Sequence, residues 1–320
     1  TLAGIENLSG SSFGDTLSGD AGANLVTGGA GNDILSGGAA ADQLFGGEGD
    51  DSLSGDEGND LLVGGVGADV FDGGAGVDEV SYDASGSAVT VNLATGTGAG
   101  GDAQGDVLSA VENLTATAFD DSLTGDAAGN IVDAGGGNDL LEGGAGADSL
   151  IGGDGVDEAA YGTSATGVSV SLETGSGTGG DAEGDVLSGI ENLTGSAFDD
   201  TLAGDGSTNI VSGGDGDDTL SGGAAADQLF GDNGDDSLSG DEGDDLLVGG
   251  NLSVTSPRLY GCRGLHPTEA SSAAYGAASW YCQGVASRRS SEFESDWETR
   301  LDLSARYAVP MGDNRGDLVL

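Results

Sequence analysis

The chain is 320 residues long and carries 56 acidic side chains against seven arginines, no lysine and one histidine, for a formal net charge of −49. All seven arginines and His266 lie in 251–320, as do only eight of the acids, so 1–250 holds 48 carboxylates and no cationic side chain. This excludes nucleic acid as a partner of that part and disfavours an anionic membrane surface, since both contacts begin with Lys and Arg; no apolar stretch approaches the roughly 18 residues of a spanning helix.

From Glu6 onward an acidic residue or its amide recurs at every ninth place, at Glu6, Asp15, Asn24, Asp33, Asp42, Asp51, Asp60, Asp69 and Asp78. Two places after each stands an apolar residue: Leu8, Leu17, Val26, Leu35, Leu44, Leu53, Leu62, Phe71 and Val80. The full unit reads G-G-x-G-x-D-x-U-x with U apolar, as in GGAGNDILS at 28–36 and GGEGDDSLS at 46–54. A carboxylate locked in phase with a core-facing side chain predicts a solenoid with a metal site built into its repeat. Glycine permits the positive φ angles that curl a loop and turn its carbonyls inward. The end of each unit, x-U-x, is predicted as a short strand with U facing in.

This first block spans 1–81. The segment 82–111 forms an insert with alternating Val89, Val91 and Leu93, followed by GGDAQGDVL. The second block, 112–160, repeats the unit around Asp139, Asp148 and Asp157. A second insert, 161–190, carries Val168, Val170, Leu172 and GGDAEGDVL. The step from Asp78 to Asp106 equals that from Asp157 to Asp185, each being three nonapeptides plus one place. That spacing predicts irregular solenoid coils through both inserts; a flexible linker between separate rolls is the alternative. The third block, 191–250, brings Asp218, Asp227, Asp236 and Asp245. Each block opens on the same order of Glu, Asp, Asn with few loop glycines (Glu6, Asp15, Asn24; Glu112, Asp121, Asn130; Glu191, Asp200, Asn209), which predicts lead-in coils with weak sites or none. Ala40 and Ala225 replace the fourth-position glycine of otherwise regular loops and are expected to strain them.

The tail, 251–320, has mixed charge, both tryptophans, Cys262 and Cys282. Alternation over 300–309 followed by GDNRGD predicts strand-turn-strand and weakly resembles one hairpin of an outer-membrane β-barrel, which cannot span a membrane alone. Its ending, Asp317 to Leu320, is similar to the acid-plus-apolar close of some type I secretion signals. An origin unrelated to the repeats is an equal alternative. Arg315-Gly316-Asp317 is read as a plain turn and His266 as a surface residue, and the pairing of the two cysteines is left open by the sequence. The chain opens on Thr1, so a fragment or processed form is expected.

The loops offer only hard oxygen donors, carboxylates and backbone carbonyls, with no Cys or His; this points to calcium, with magnesium second because it demands a near-ideal octahedron. An unfolded Gly/Asp-rich linker would have no need of an apolar residue in fixed phase with each carboxylate. The candidate metal-ligating residues are Asp33, Asp42, Asp51, Asp60, Asp69, Asp78, Asp139, Asp148, Asp157, Asp218, Asp227, Asp236 and Asp245.

Over 1–250 the sequence closely resembles the hemolysin-type calcium-binding repeats, also called RTX repeats, of secreted Gram-negative bacterial proteins. The resemblance implies an all-β fold, a parallel β-roll in which two nonapeptides make one turn, ending in a poorly defined C-terminal tail. It also implies calcium ions between loops whose aspartates are two nonapeptides apart. The pairs are Asp33 with Asp51, Asp51 with Asp69, Asp42 with Asp60, Asp60 with Asp78, Asp139 with Asp157, Asp218 with Asp236, and Asp227 with Asp245. The expected function is a calcium-dependent folding and spacer module of a larger extracellular protein, exported by type I secretion machinery. The alternatives are the repeat domain of a secreted protease, lipase or toxin whose active domain lies elsewhere, and an adhesive or ice-binding solenoid. No catalytic constellation is recognisable, since the acids repeat and no one pair is special. Ice binding calls for a flat row of threonines, and the ninth position instead reads Ser18, Thr27, Ser36, Phe45, Ser54, Val63, Asp72.

Overall fold

A computed structural model describes residues 5–249 and, as backbone, the strands Asn251–Val254, Thr299–Arg300 and Tyr307–Pro310. The rest of the tail, including Cys262, His266, Cys282, the Arg315-Gly316-Asp317 tripeptide and the ending through Leu320, lies outside the described residues. The chain divides into two compact units, Thr1–Ala159 with Ala182–Ile190, and Ala160–Asp181 with Glu191–Leu320. Among the described residues there is no α-helix, and none long and apolar enough to cross a membrane.

In the first unit, strands of successive nonapeptides alternate between two parallel sheets, and neighbours within a sheet are two nonapeptides apart. Leu25–Ala30 pairs with Gln43–Glu48 (Val26 opposite Leu44), and Gln43–Glu48 with Leu61–Val66 (Leu44 opposite Leu62). Ile34–Ala39 pairs likewise with Ser52–Glu57, and Ser52–Glu57 with Val70–Ala75. Two nonapeptides therefore make one coil of a β-solenoid. The U side chains of both sheets point into the space between them, where Val26, Leu35, Leu44, Leu53, Leu62, Phe71 and Val80 are all buried. Each such side chain is worth about 1.5–3 kcal/mol of hydrophobic stabilisation. Parallel sheets covered on both faces read as continuous apolar runs; here only one face is covered, and most residues flanking U, polar or apolar, stay open to solvent, Ile34 and Val70 among them.

The strands of the first block are longer than the expected x-U-x. Backbone pairing continues through the loop glycines, with Gly29 opposite Gly47 and Gly47 opposite Gly65, so the regular strands there reach 6 residues. In the later blocks most return to 3 residues, as at Ser149–Ile151 and Thr219–Ser221.

The first insert enters one sheet only. Val107–Ser109 pairs in parallel with Val70–Ala75, and Thr90–Asn92 with Ser122–Thr124. Between them Thr97–Ala99 runs antiparallel to both neighbours. In the opposite sheet Glu79–Ser81 pairs directly with Asn113–Thr115, so that sheet passes the insert by.

The second unit repeats the pattern. Thr201–Ala203, Thr219–Ser221 and Asp235–Ser239 stack in one sheet, and Asn192–Thr194, Ile210–Ser212, Gln228–Phe230 and Leu246–Gly249 in the other. Of the strand expected over 300–309, only Arg300 and 307–309 lie among the described residues. Thr299–Arg300 runs antiparallel to Asn251–Val254, and Tyr307–Pro310 antiparallel to Leu246–Gly249, which lies in the other sheet. Each sheet end thereby gains a partner for backbone groups an open edge would leave exposed.

Candidate metal centre

The loop geometry follows from glycine at fixed positions. A Cβ placed on Gly28 would collide with Oδ2 of Asp33, and the same holds for Gly46 against Asp51 and Gly64 against Asp69. Gly47 sits at φ +118°, in the left-handed region, where any side chain would also strike the carbonyl of Gly29 in the preceding coil. The absent side chains leave a cradle bordered by a carboxylate oxygen and by carbonyls of adjacent coils. The Gly46 carbonyl oxygen, for example, lies 2.8 Å from the point a Gly28 Cβ would occupy.

The aspartates of successive coils form ladders. The backbone N–H of Asp33 donates to Oδ1 of Asp51 at 2.8 Å, Asp51 to Asp69 at 2.8 Å, Asp42 to Asp60 at 2.7 Å, and Asp60 to Asp78 at 2.8 Å. Asp139 donates to Asp157 at 2.9 Å, Asp218 to Asp236 at 3.2 Å, and Asp227 to Asp245 at 3.1 Å. All seven expected aspartate pairs are thus brought together through one carboxylate oxygen. The second oxygen is the informative one. Oδ2 of Asp33, Asp42, Asp51, Asp60, Asp69, Asp78, Asp139, Asp218, Asp227 and Asp236 is buried with no hydrogen-bond partner. Asp148 and Asp157 are equally buried, and Asp245, in the last regular coil, nearly so.

A buried, unpartnered carboxylate oxygen is costly. Desolvation, followed by repulsion from neighbouring carboxylates, raises the carboxyl of Asp69 to about 7 and that of Asp218 to about 7. The same causes bring Asp60, Asp139 and Asp227 to about 6, with the ladder N–H bonds acting in the opposite sense. Burial also raises Asp42, Asp51, Asp78, Asp157, Asp236 and Asp245. With no Lys or Arg before Arg258, the relief must come from a proton or a bound cation. Among the described residues no three His, Cys, Asp or Glu side chains converge. A cation here would therefore complete its shell with backbone carbonyls, a hard all-oxygen set that suits calcium.

The lead-in coils differ at the decisive atom. Oδ2 of Asp15 accepts from the N–H and hydroxyl of Ser11 at 2.6 and 2.8 Å, and Oδ2 of Asp121 from those of Thr117, both at 2.8 Å. Oδ2 of Asp200 accepts from the N–H of Ser196, whose hydroxyl donates to Oδ1 at 2.9 Å. Asn24, Asn130 and Asn209 accept the N–H of Asp20, Asp126 and Asp205. Here the chain supplies the donor that is missing elsewhere.

Ala40 and Ala225 stand at φ +73° and +85°, so the expected strain is present at both. Asp56, Asp232 and Asp241, in place of a second-position glycine, also have positive φ. Asp56 is tethered there by the hydroxyls of Ser36 and Ser54, and Asp241 by those of Ser221 and Ser239.

Two ladder members escaped the nine-place count: Asp69 donates to Asp106 at 2.8 Å and Asp148 to Asp185 at 2.9 Å. Asp78 donates to Oε2 of Glu112, the opening acid of the second block, at 2.8 Å. The signal was present in GDVL of each insert, where Asp106 and Asp185 precede the buried Leu108 and Leu187 by two places. The antiparallel excursion of the insert takes them out of phase.

Comparison with known proteins agrees with this geometry. The family model of the RTX calcium-binding nonapeptide repeat (4 copies) matches residues 9–44, 45–80, 109–141, 133–159, 186–220 and 221–251, more than half of the chain. No curated protein matches the chain. The stacked coils, glycine loops and aspartate ladders are those of a calcium-binding β-roll, and the chain belongs to the RTX calcium-binding nonapeptide repeat family.

Proposed function

We propose that this chain is a folding and spacer module of a larger secreted or surface protein, unfolded at cytosolic calcium and folded by calcium outside the cell. The observation that carries the reading is the row of buried Asp Oδ2 atoms without a partner, in a region without one cationic side chain. The ligands are the ladder aspartates from Asp33 to Asp78, Asp139 to Asp157 and Asp218 to Asp245, completed by loop carbonyls. Calcium, when bound, supplies the positive charge the coils lack. The chain's own part is to hold carboxylates one coil apart, exclude water from them, and tie each to the next through a backbone N–H.

The magnitude suits a switch. With a site Kd near ~10⁻⁴ M, the tight end for extracellular modules, calcium at ~10⁻³ M adds about 1.4 kcal/mol per site, and at sub-micromolar levels almost nothing. Several such sites together rival the stability of a whole domain. An unfolded, strongly acidic chain inside the cell is compatible with export by type I secretion machinery, and the absence of basic residues before Arg258 argues against nucleic acid as a partner of the repeats. The test is secretion and folding in one system. Export of the full chain with its native flanking sequence should persist when Asp51 and Asp69 are both changed to Asn, while the exported variant should need more calcium to resist protease. A wild-type chain already protease-resistant in the cytosol would overturn the reading.

A further inference from the structure

In the first unit, Asp15, Asp33, Asp51, Asp69 and Asp106 form one column, each N–H donating to Oδ1 of the next at 2.7 or 2.8 Å. At one end Ser11 donates to Oδ2 of Asp15. At the other, the buried hydroxyl of Tyr82 donates to Oδ2 of Asp106 at 2.9 Å. Only the three aspartates between them keep an Oδ2 without a partner. The Tyr82 ring stands edge-on to Phe71, the core residue of the Asp69 unit, with centroids 6.5 Å apart and planes at 79°, which fixes the hydroxyl over the column. The loop leading to Asp106 also departs from the repeat. Gly101–Ala103 is a 3₁₀ turn, and Gln104 stands where a regular loop has its fourth-position glycine, so the carbonyl cradle is not rebuilt.

We propose that Tyr82 fills at Asp106 the role a cation fills at Asp33, Asp51 and Asp69, making the first insert a protein-built terminator that closes the column. The inference rests on reading Asp33, Asp51 and Asp69 as calcium ligands. On it, the number of ions in a column is set by where the chain places a hydroxyl on the outer carboxylate oxygen. The second insert carries the same two residue types at the same separation of 24, in Tyr161 and Asp185, both buried.

The test counts calcium ions bound by the full chain in equilibrium dialysis at millimolar calcium, for wild type, Asp106→Asn and Asp69→Asn, with folding of each checked by circular dichroism at saturation. Asp106→Asn keeps an acceptor for the Asp69 N–H and is expected to bind as many ions as wild type, with a half-saturating calcium concentration within twofold. Asp69→Asn is expected to lose at least one ion or to need severalfold more calcium. Loss of an ion in Asp106→Asn comparable with that in Asp69→Asn would overturn the terminator. Wild-type binding by both variants would instead remove the calcium-ligand reading beneath it. If Asp106→Asn does not fold, the double variant Tyr82→Phe, Asp106→Asn carries the same prediction; if Asp69→Asn does not, Asp51→Asn takes its place.

Discussion

Asp51 donates its backbone N–H to Oδ1 of Asp69 at 2.8 Å, while its own Oδ1 receives the N–H of Asp33 at 2.8 Å. One side chain is thus engaged with the coils on both sides, and its other oxygen is left buried and unpartnered. Two places on, Leu53 is buried in the apolar core. Only Ser52 separates the proposed ligand from the core residue, and their substitution should have different signatures.

Asp51→Ala removes a carboxylate at the junction of two loops, so its stability deficit should shrink as calcium rises. Leu53→Ala leaves a cavity costing roughly 2–5 kcal/mol, which calcium offsets only through the general linkage term. Thermal melts of both variants from micromolar to ten-millimolar calcium distinguish them. The Asp51 variant should converge toward wild type and the Leu53 variant should stay offset. Parallel curves would contradict the division into ligand and core positions.

The pH dependence has opposite signs with and without metal. In the metal-free coil the carboxyls of Asp69 and Asp218 rise to about 7 and those of Asp60, Asp139 and Asp227 to about 6, against about 3.9 in an unfolded chain. The folded state then binds more protons than the unfolded one between pH ~4 and ~7, so metal-free stability should increase as pH falls through that window. Where low pH holds the metal-free coil folded, calcium must displace those protons, so its midpoint concentration should rise as pH falls and its binding there should release protons; near neutral pH, where the metal-free chain is unfolded and its carboxyls are already ionised, the release should be small. Calorimetry at low pH in buffers of different ionisation enthalpy reads the release, and no dependence on buffer would argue against it.

Ala40→Gly should stabilise the fold, because Ala40 is held at φ +73°, where a Cβ costs about 1–2 kcal/mol. The gain should appear in calcium melts as a rise in Tm, with Ala225→Gly behaving alike at φ +85°. A fall in Tm for both would show that the greater backbone freedom of glycine in the unfolded chain outweighs the strain.

The nine-place phase of Asp and U made the coil legible, since side-chain direction in a strand has period two and one slip would turn Leu44 or Leu53 to solvent. Which aspartates would stack came from the resemblance to RTX repeats, in which two nonapeptides complete one coil, and not from the period itself. The period could not show what each carboxylate oxygen meets. The missing loop glycines set Asp15 apart from Asp33 but did not show how, which is that Ser11 reaches Oδ2 of Asp15 and no donor reaches Oδ2 of Asp33. Asp106 was hidden for another reason. The hairpin of Thr90–Asn92 and Thr97–Ala99 adds length that does not advance the coil, so a partner 37 places from Asp69 stands where one 18 places away is found in a regular coil. Tyr82 has no periodic partner at all, and only packing reveals its target.

Calcium, on this reading, supplies the counter-charge that 1–250 lacks. Far-ultraviolet circular dichroism of the full chain, recorded near neutral pH in chelator, in millimolar calcium and in equal magnesium, tests it most directly. Little regular structure is expected in chelator, with a cooperative gain of β-signal in calcium and a weak response to magnesium. The same β-rich spectrum in chelator as in calcium would refute it.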